Sequence, residues 1–375
     1  MRRGWHVEPR VELPLRLRVA TPVAGLAVGL VLGALLLEVF GVSSAAAYAT
    51  ILKAGLTGGL YAWSDTMTKA TPLILCALGC AVAFRAGLWN VGAEGQLFLG
   101  AWAATGVASF LLPPDIPGVV MLTAMAVAGA AAGAAWGAVP GYLKARLSVS
   151  EVLTTLMLTY VAVHWNNYFI YSLWSDRGFQ MTPVYPASAW LPRLSDAAGS
   201  VPAFAGLTLH VGFVIALVAA AALWVLMYRT RFGFEVRISG VSPKVAHHAG
   251  MPVARNVVLV MALSGALAGL GGACETAGVV HRLQESFSPG YGFTAILVAW
   301  LARLNPAAIV AVSLLLSALL VGAKQIQPSG IAMMLQGVVL LCVVAADFFA
   351  RYSVRRTAAV QRDAAGSGPA AAEGR

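Results

Sequence analysis

The chain has 375 residues, of which 59% are hydrophobic and 11% are charged, and its formal net charge is +10 at pH 7. Soluble domains carry about 25% charged residues, so this composition excludes an ordinary soluble domain. The positive charge does not indicate nucleic-acid binding, because Arg and Lys gather in 1–18, 229–255 and 351–375. Such clustering follows the positive-inside rule for the cytoplasmic side of membrane proteins.

Long blocks without a charged residue recur along the chain, and a membrane-spanning helix needs about 20 apolar residues. They predict an all-α, polytopic membrane protein of about ten transmembrane helices. Both termini are expected in the cytoplasm and the charge-balanced loop 175–207 outside. The predicted spans are 19–40, 68–86, 94–112, 118–143, 152–174, 208–228, 256–277, 291–304, 305–323 and 330–350.

These boundaries predict three parts of the chain. A cytoplasmic N-terminal segment, 1–18, precedes a transmembrane domain, 19–350, which includes the basic cytoplasmic loop 229–255. A cytoplasmic tail, 351–375, follows, and its Ala, Gly and Arg content predicts disorder.

Residues 84–96 interrupt the apolar pattern with Phe-Arg-Ala-Gly-Leu-Trp-Asn-Val-Gly-Ala-Glu-Gly-Gln. Irregular backbone at membrane depth is tolerated only inside protein or beside a water-filled cavity, and an ionisable side chain there usually marks a pathway. The segment therefore predicts a broken helix that lines a route for a polar solute. A second glycine-interrupted stretch, 288–304, resembles 90–105, and paired broken segments in weakly related halves indicate a substrate site between the halves.

We expect polar and aromatic residues from the break, the fifth span and the second interrupted stretch to line the solute route. They are Trp89, Asn90, Glu94, Gln96, Glu151, Thr155, Asn166, Tyr291 and Phe293. Aromatic faces can stack on a flat base, and amides and hydroxyls can bind base edges and ribose hydroxyls. The set therefore favours a nucleoside as the solute.

Structural alternatives stay open for several of these residues. Asn90 and Glu94 can cap the ends of the broken helix without touching solute, and Arg85 can pair with Glu94. Tyr291 and Phe293 can be packing residues.

The basic loop 229–255 carries the signals of a short capped helix. Ser242 stands at the N-cap position, Pro243 at the first helical position and Gly250 at the end, which is the usual distribution of these residue types. The pattern predicts a helix over 244–249 that suits docking onto another protein.

The loop pattern Gly-x-Ser-Pro-x-x-Ala-x-x-x-Gly, from Gly240 to Gly250, resembles the coupling-helix region of permease subunits of ABC importers. The resemblance covers about residues 19–350 and is to the ribose, branched-chain amino acid and nucleoside permeases. Four stretches are similar to the nucleoside or simple-sugar branch: 84–96, 150–159, 264–272 and 289–293. Thr159 stands where that family usually has Asn, and 301–305 read Leu-Ala-Arg-Leu-Asn where Gly-Arg is more usual.

The resemblance implies a transmembrane permease subunit that works by alternating access and is not itself an enzyme. ATP hydrolysis would belong to a separate ATPase subunit, because the chain has no Gly-x-x-x-x-Gly-Lys-Ser/Thr phosphate loop. The other implied partners are a second permease subunit (a sister chain or a second copy) and a periplasmic or lipid-anchored substrate-binding protein. The implied location is the bacterial cytoplasmic (inner) membrane. The residues expected to contact the ATPase are Arg237, Gly240, Ser242, Pro243, Lys244, Ala246 and Gly250.

No metal or cofactor is expected from the sequence. His247 and His248 are adjacent and point apart on a helix, and neither a His-Glu-x-x-His pattern nor a Ser/His/Asp set appears. The alternative functions are the same machinery for a simple sugar or another small polar metabolite, and a stand-alone channel or secondary carrier. A carrier would be expected to need more carboxylates in its spans than Glu94.

Overall fold

A computed structural model describes residues 5–9, 15–326 and 330–356. Over these residues the protein is almost entirely helical, which confirms the predicted helical class, and it has one small two-stranded sheet. The strands are β1 (Trp5–Pro9) and β2 (Tyr352–Arg356). The α-helices are α1 (Leu15–Val39), α2 (Ser44–Leu52), α3 (Leu60–Arg85), α4 (Ala93–Gly106), α5 (Gly118–Leu147), α6 (Glu151–Tyr168), α7 (Gly212–Arg229), α8 (Arg231–Val241), α9 (Pro243–His248), α10 (Val253–Glu275), α11 (Tyr291–Leu301), α12 (Pro306–Ala323) and α13 (Gly330–Arg351).

Several helices continue into a wider π-helical turn at their C-terminal ends. Such turns follow α2 (Lys53–Thr57), α4 (Val107–Leu111), α6 (Phe169–Leu173) and α10 (Thr276–Val280). With these turns, α4 and α6 extend close to the ends of the spans predicted for them.

The chain divides into two compact units. The first contains Met1–Ala47 and Gln327–Arg375, and within it α1 packs on α13, because Gly25 lets the backbone approach to the point where a Cβ would lie 2.8 Å from Val343 Cα. β1 pairs antiparallel with β2. The predicted disordered tail thus begins with the end of α13 and β2, and its remainder, 357–375, lies outside the described residues, as do 1–4 and 10–14.

The second unit, Tyr48–Ile326, is built around α3, whose most apolar stretch of 18 residues is 83% buried. α10 packs tightly on α5 along a row of glycines. A Cβ on Gly133 would overlap the carbonyl oxygen of Gly265, and one on Gly269 would overlap that of Gly129. Small residues allow such close backbone packing between helices in a membrane, where lipid supplies no hydrophobic force between them.

Among the described residues, five helical segments are long and apolar enough to cross a membrane: Leu60–Arg85, Gly118–Leu147, Gly212–Arg229, Val253–Val280 and Pro306–Ala323. Three shorter apolar stretches are Ala24–Val39, Tyr291–Leu301 and Gly337–Ala350. A helix overlaps each predicted span, but α11 has only 11 residues, about 16 Å against a hydrocarbon core of about 30 Å. The structure therefore supports a multi-pass membrane protein, and the count of ten crossings stays a prediction.

α3 begins at Leu60 rather than at residue 68, the predicted start of the second span. Its first turns contain the polar residues Ser64, Asp65 and Thr66, which lie outside the predicted span. These groups are paired inside the protein: Thr66 Oγ1 donates to the carbonyl oxygen of Gly55 (2.7 Å), and Ser64 Oγ accepts the N–H of Thr208 (2.9 Å).

Candidate solute route and coupling loop

The predicted break lies between the end of α3 at Arg85 and the start of α4 at Ala93. Gly87 has a φ of 72°, a left-handed conformation that Gly adopts without a steric penalty. The carbonyl oxygen of Ala83 accepts the N–H groups of both Ala86 and Leu88 (3.0 Å each), bonds that satisfy a carbonyl of the last turn of α3. The chain then runs without helical structure to α4.

The side-chain amide of Asn90 holds this break together, and Asn90 is 0% exposed. Its Nδ2 donates to Gln96 Oε1 (2.9 Å) and to Ser264 Oγ (2.8 Å). Its Oδ1 accepts the N–H of Gly92 (3.0 Å) and a bond from Gln96 Nε2 (3.3 Å). The amide thus uses its full hydrogen-bonding capacity within the protein, which favours the capping role for Asn90 over direct contact with solute.

The carboxylate of Glu94 lies where two helices begin. Glu94 belongs to the first turn of α4, and its Oε2 accepts the N–H of Gly292 in the first turn of α11 (2.6 Å). A Cβ on Gly292 would overlap the backbone of Glu94, so the two helix starts are in direct contact. A negative group is stabilised at a helix N-terminus, and this carboxylate serves two of them. The Arg85–Glu94 alternative is wrong, because Arg85 donates instead to the carbonyl oxygen of Leu304.

The sequence reading missed a buried ion pair close to this contact. Lys69 Nζ lies 2.7 Å from Oε1 of Glu275, whose side chain is 0% exposed, and the Tyr291 hydroxyl donates to the same oxygen (3.4 Å). The available signal was that Glu275 is the one charged residue of the predicted span 256–277 and that Lys69 lies at the start of the predicted span 68–86. Lone ionisable residues at membrane depth pair with one another or mark a functional site.

A cavity of about 310 Å³ opens beside Lys69 and Tyr291. Its polar lining consists of Asp65, Thr68, Lys69, Thr208, Lys324 and Gln325. Asp65 Oδ1 accepts the hydroxyl of Thr208 (2.6 Å). Burial of Lys324 lowers the pKa of its ammonium group, and the nearby positive charge of Lys69 lowers this pKa further. Ligand pockets measure about 300–1,000 Å³, so this cavity has room for a small solute.

Trp89 and Phe293 are the two exposed aromatic members of the predicted route, at 45% and 42% exposure. Trp89 stacks on Trp300 of α11, with 5.4 Å between ring centroids, and contacts the ring of Phe84 (5.2 Å). Trp89 therefore joins the break to α11 and still presents part of its ring surface.

The three predicted residues of α6 lie in different surroundings. Thr155 Oγ1 accepts the N–H of Val91 (3.2 Å), so it belongs to the network at the break. Glu151 pairs with Lys144 of α5 (2.8 Å). Asn166 is 0% exposed, and neither polar atom of its side chain has a partner among the described residues. Fifteen residues separate Glu151 from Asn166, about 22 Å along a helix, so Asn166 lies well away from the N-terminal end of α6.

The short capped helix of the basic loop is confirmed as α9. Ser242 is its N-cap and accepts the N–H of Val245 (3.4 Å), Pro243 occupies the first turn, and the left-handed Gly250 (φ 73°) follows the helix. Its bounds, Pro243–His248, differ by one residue at each end from the predicted 244–249. The preceding helix, α8, was not predicted, although Thr230 caps it by accepting the N–H of Gly233 (3.2 Å).

The residues predicted to dock on the ATPase divide into outward and inward groups. Pro243, Lys244 and Gly250 are exposed, Ser242 is half-buried, and Ala246 is fully buried. The guanidinium of Arg237 lies 5.6 Å from the Tyr228 ring centre, and Gly240 packs against the backbone of Arg85. Two strongly exposed apolar residues of this surface, Val241 (86%) and Val245 (59%), were missed.

A family model described as "branched-chain amino acid transport system / permease component" matches residues 62–344. The chain therefore belongs to this family of membrane permease components.

Individual relatives match most of the chain. The glucose ABC transporter permease protein TsgB13 of Haloferax volcanii is 35% identical over 93% of this chain and 93% of its own length. The guanosine ABC transporter permease protein NupP of Bacillus subtilis is 34% identical over 80% and 84%. The nucleoside ABC transporter permease protein NupB of Lactococcus lactis is 31% identical over 84% and 86%.

Proposed function

We propose that the chain is the transmembrane permease subunit of an ATP-driven importer for nucleosides and that it moves its solute by alternating access. The observation that carries this proposal is the non-helical break between α3 and α4, tied through Glu94 to the start of α11. Non-helical backbone at membrane depth is tolerated where it is buried in protein or lines a cavity. The nucleoside and guanosine permeases among the relatives support the choice of solute.

A simple sugar or another small polar metabolite is the second candidate solute. The relative from Haloferax volcanii is a glucose permease and covers nearly the whole chain. Nucleosides and sugars share neighbouring hydroxyl groups, so amides and hydroxyls along the route suit both. Exposed ring surface at Trp89 and Phe293 favours the nucleoside, because a base can stack on it.

In this proposal the chain crosses the membrane ten times, in the cytoplasmic (inner) membrane of a bacterial cell. The basic loop 229–255 and both termini lie in the cytoplasm, and the charge-balanced loop 175–207 lies outside, as the charge distribution supports. The permease domain is 19–350, between the cytoplasmic segments 1–18 and 351–375.

The residues of the solute route fall into two roles in this proposal. Trp89, Asn166, Tyr291 and Phe293 contact solute, because they offer ring surface, an unpaired amide or a position on the cavity wall. A second group holds the walls of the route in place through hydrogen bonds within the protein: Asn90, Glu94, Gln96, Glu151 and Thr155.

The energy comes from a separate ATPase that docks on α9 and its flanks. The docking surface consists of Ser242, Pro243, Lys244, Ala246 and Gly250, with Arg237 and Gly240 behind it. The remaining partners are a second permease subunit (a sister chain or a second copy) and a substrate-binding protein. A stand-alone channel or carrier would need none of them.

Uptake into membrane vesicles tests the proposal. The chain is co-expressed with an ATPase, a second permease and a substrate-binding protein, and uptake of labelled adenosine is compared with that of labelled ribose and glucose. We expect ATP-dependent uptake of adenosine that exceeds uptake of either sugar. Faster uptake of glucose or ribose would assign the sugar alternative, and equal uptake without ATP would contradict the importer.

A further inference from the structure

We propose that Arg85 is a positioning residue that transmits movement of the coupling loop (the basic loop 229–255) to the solute route. The inference rests on the proposed function. Arg85 is the last residue of α3, and its Nε and Nη2 donate to the carbonyl oxygen of Leu304 (3.2 and 2.9 Å). Nη2 also donates to the Tyr228 hydroxyl (2.5 Å), and the guanidinium carbon lies 4.7 Å from the Tyr228 ring centre. One side chain therefore joins the ends of α3 and α7 to the turn between α11 and α12.

The coupling loop touches this point directly. A Cβ on Gly240, near the end of α8, would overlap the carbonyl oxygen of Arg85. A Cβ on Gly87 would lie 3.3 Å from the carbonyl oxygen of Gly240. Arg237 of α8 lies over the same Tyr228 ring that Arg85 contacts. A shift of α8 and α9 under the ATPase would therefore press on the backbone at the start of the break.

The carbonyl oxygen that Arg85 contacts belongs to the turn between α11 and α12, whose backbone conformation is energetically unfavourable. Arg303 and Leu304 have φ values of 50° and 60°, left-handed conformations that cost side chains with a Cβ free energy and persist only where neighbouring contacts impose them. The two hydrogen bonds from Arg85 fall on the carbonyl oxygen of Leu304, within this turn. Arg85 thus helps to stabilise the left-handed turn that follows α11.

α11 is joined to the break at its other positions as well. Trp89 stacks on Trp300 near the end of the helix, and Glu94 accepts the N–H of Gly292 at its start. The residues from the break to the start of α4 therefore contact α11 near both of its ends. Displacement at Gly240 would therefore move the break and α11 together.

The guanidinium group suits this task because its donors are fixed in one plane and can hold two acceptors together. A lysine in its place carries the same charge, but its ammonium group does not have two donors fixed in one plane. Arg85→Lys should therefore restore part of what Arg85→Ala loses. A purely electrostatic role would be restored in full.

The test measures uptake and ATP hydrolysis in the same vesicles that contain the full complex. Coupling between distant sites typically changes an equilibrium by about 5–150-fold, so we expect Arg85→Ala to lower solute uptake per ATP hydrolysed by about tenfold. Arg85→Lys should give an intermediate ratio. Gly240→Ala, which drives the coupling loop away from Arg85, should lower the ratio without touching the guanidinium group.

Arg146→Ala and Gly199→Ala are the matched controls. Arg146 is exposed in the last turn of α5, and a Cβ on Gly199 would meet nothing within 4 Å, so both should keep the wild-type ratio. If Arg85→Ala and Gly240→Ala reduce uptake and hydrolysis in the same proportion, or change neither, the proposal is overturned. If Arg85→Ala does not assemble, the ratio measured for Arg85→Lys and Gly240→Ala decides in the same way. Wild-type vesicles without ATP-dependent uptake would instead contradict the proposed function.

Discussion

Asn90 and Asn166 show two uses of a buried amide in the same unit of the protein. Asn90 spends its donors and acceptors on the break itself, and so fixes the backbone between α3 and α4. Asn166 is just as buried, yet both of its polar atoms lack a partner among the described residues. A buried polar group without a hydrogen bond costs about 1–3 kcal/mol, and such a cost is commonly tolerated where function requires it.

Replacing Asn166 by leucine separates these two effects. We expect Asn166→Leu to raise the thermal unfolding midpoint of the purified protein, because about 1–3 kcal/mol of desolvation cost is removed, and to lower nucleoside uptake. The neighbouring Asn167→Leu, on a different face of α6, is the matched control. Asn167 Oδ1 is also buried without a partner among the described residues, so this variant should raise the midpoint as well but leave uptake unchanged. A stabilised Asn166→Leu protein with wild-type uptake would show that the amide does not serve the solute.

The Lys69–Glu275 pair should behave as a buried ion pair. Lys69→Met leaves the carboxylate of Glu275 buried without its cation, and breaking such a pair costs about 3–5 kcal/mol. Because Lys69 is 22% exposed, we expect a loss of stability towards the lower end, read as a lower thermal midpoint. The double variant Lys69→Met/Glu275→Met should recover most of the loss, since apolar residues can replace a buried pair at little cost. No recovery in the double variant would mean that the two side chains act separately.

At the scale of elements, the two helices that start at glycine-rich breaks meet end to end. α4 and α11 begin at the two stretches whose sequences resemble each other, and the carboxylate of Glu94 bonds to the backbone of Gly292 between them. Helix N-termini that face one another within a membrane are typical of the binding sites of transporters built from repeats. The half-length α11 therefore forms a wall of the route in the proposed function.

The cap of α9 is the element whose loss should uncouple the protein from its motor. Gly in place of the N-cap Ser242 costs a helix only a few tenths of a kcal/mol, but Gly in place of Pro243 also frees the backbone of the first turn. A six-residue helix has little other support. We expect Ser242→Gly/Pro243→Gly to abolish uptake while the protein stays in the membrane at its normal level, measured by vesicle uptake and immunoblot. Ser200→Gly/Pro202→Gly, in the exposed loop before α7, is the matched control. Normal uptake by the α9 variant would refute the docking role.

The sequence allowed the elements to be predicted better than their contacts. Apolar blocks predicted a helix in each region where one lies, and the order of Ser242, Pro243 and Gly250 located α9, because both signals are local. The start of α3 was placed too late, because Ser64 and Thr66 find partners in Thr208 and Gly55 that are distant or unrecognisable in sequence. The same limit hid the Lys69–Glu275 pair, whose members stand 206 positions apart, and gave Arg85 the wrong partner.

At the scale of the whole molecule, the proposed solute route and the basic loop 229–255 both lie in the second unit, Tyr48–Ile326. The contacts of Arg85 place these two regions side by side. No phosphate-loop motif for ATP occurs in the sequence. In the proposed function, a separate ATPase drives the movement of solute.

The most direct test of this account compares solute movement with and without the motor subunit. The purified chain is reconstituted in lipid vesicles, alone and with its ATPase, second permease and binding protein, and labelled adenosine is followed with and without ATP. The account predicts accumulation only in vesicles that hold the full complex and ATP. Free movement of adenosine through vesicles that contain this chain alone would contradict it.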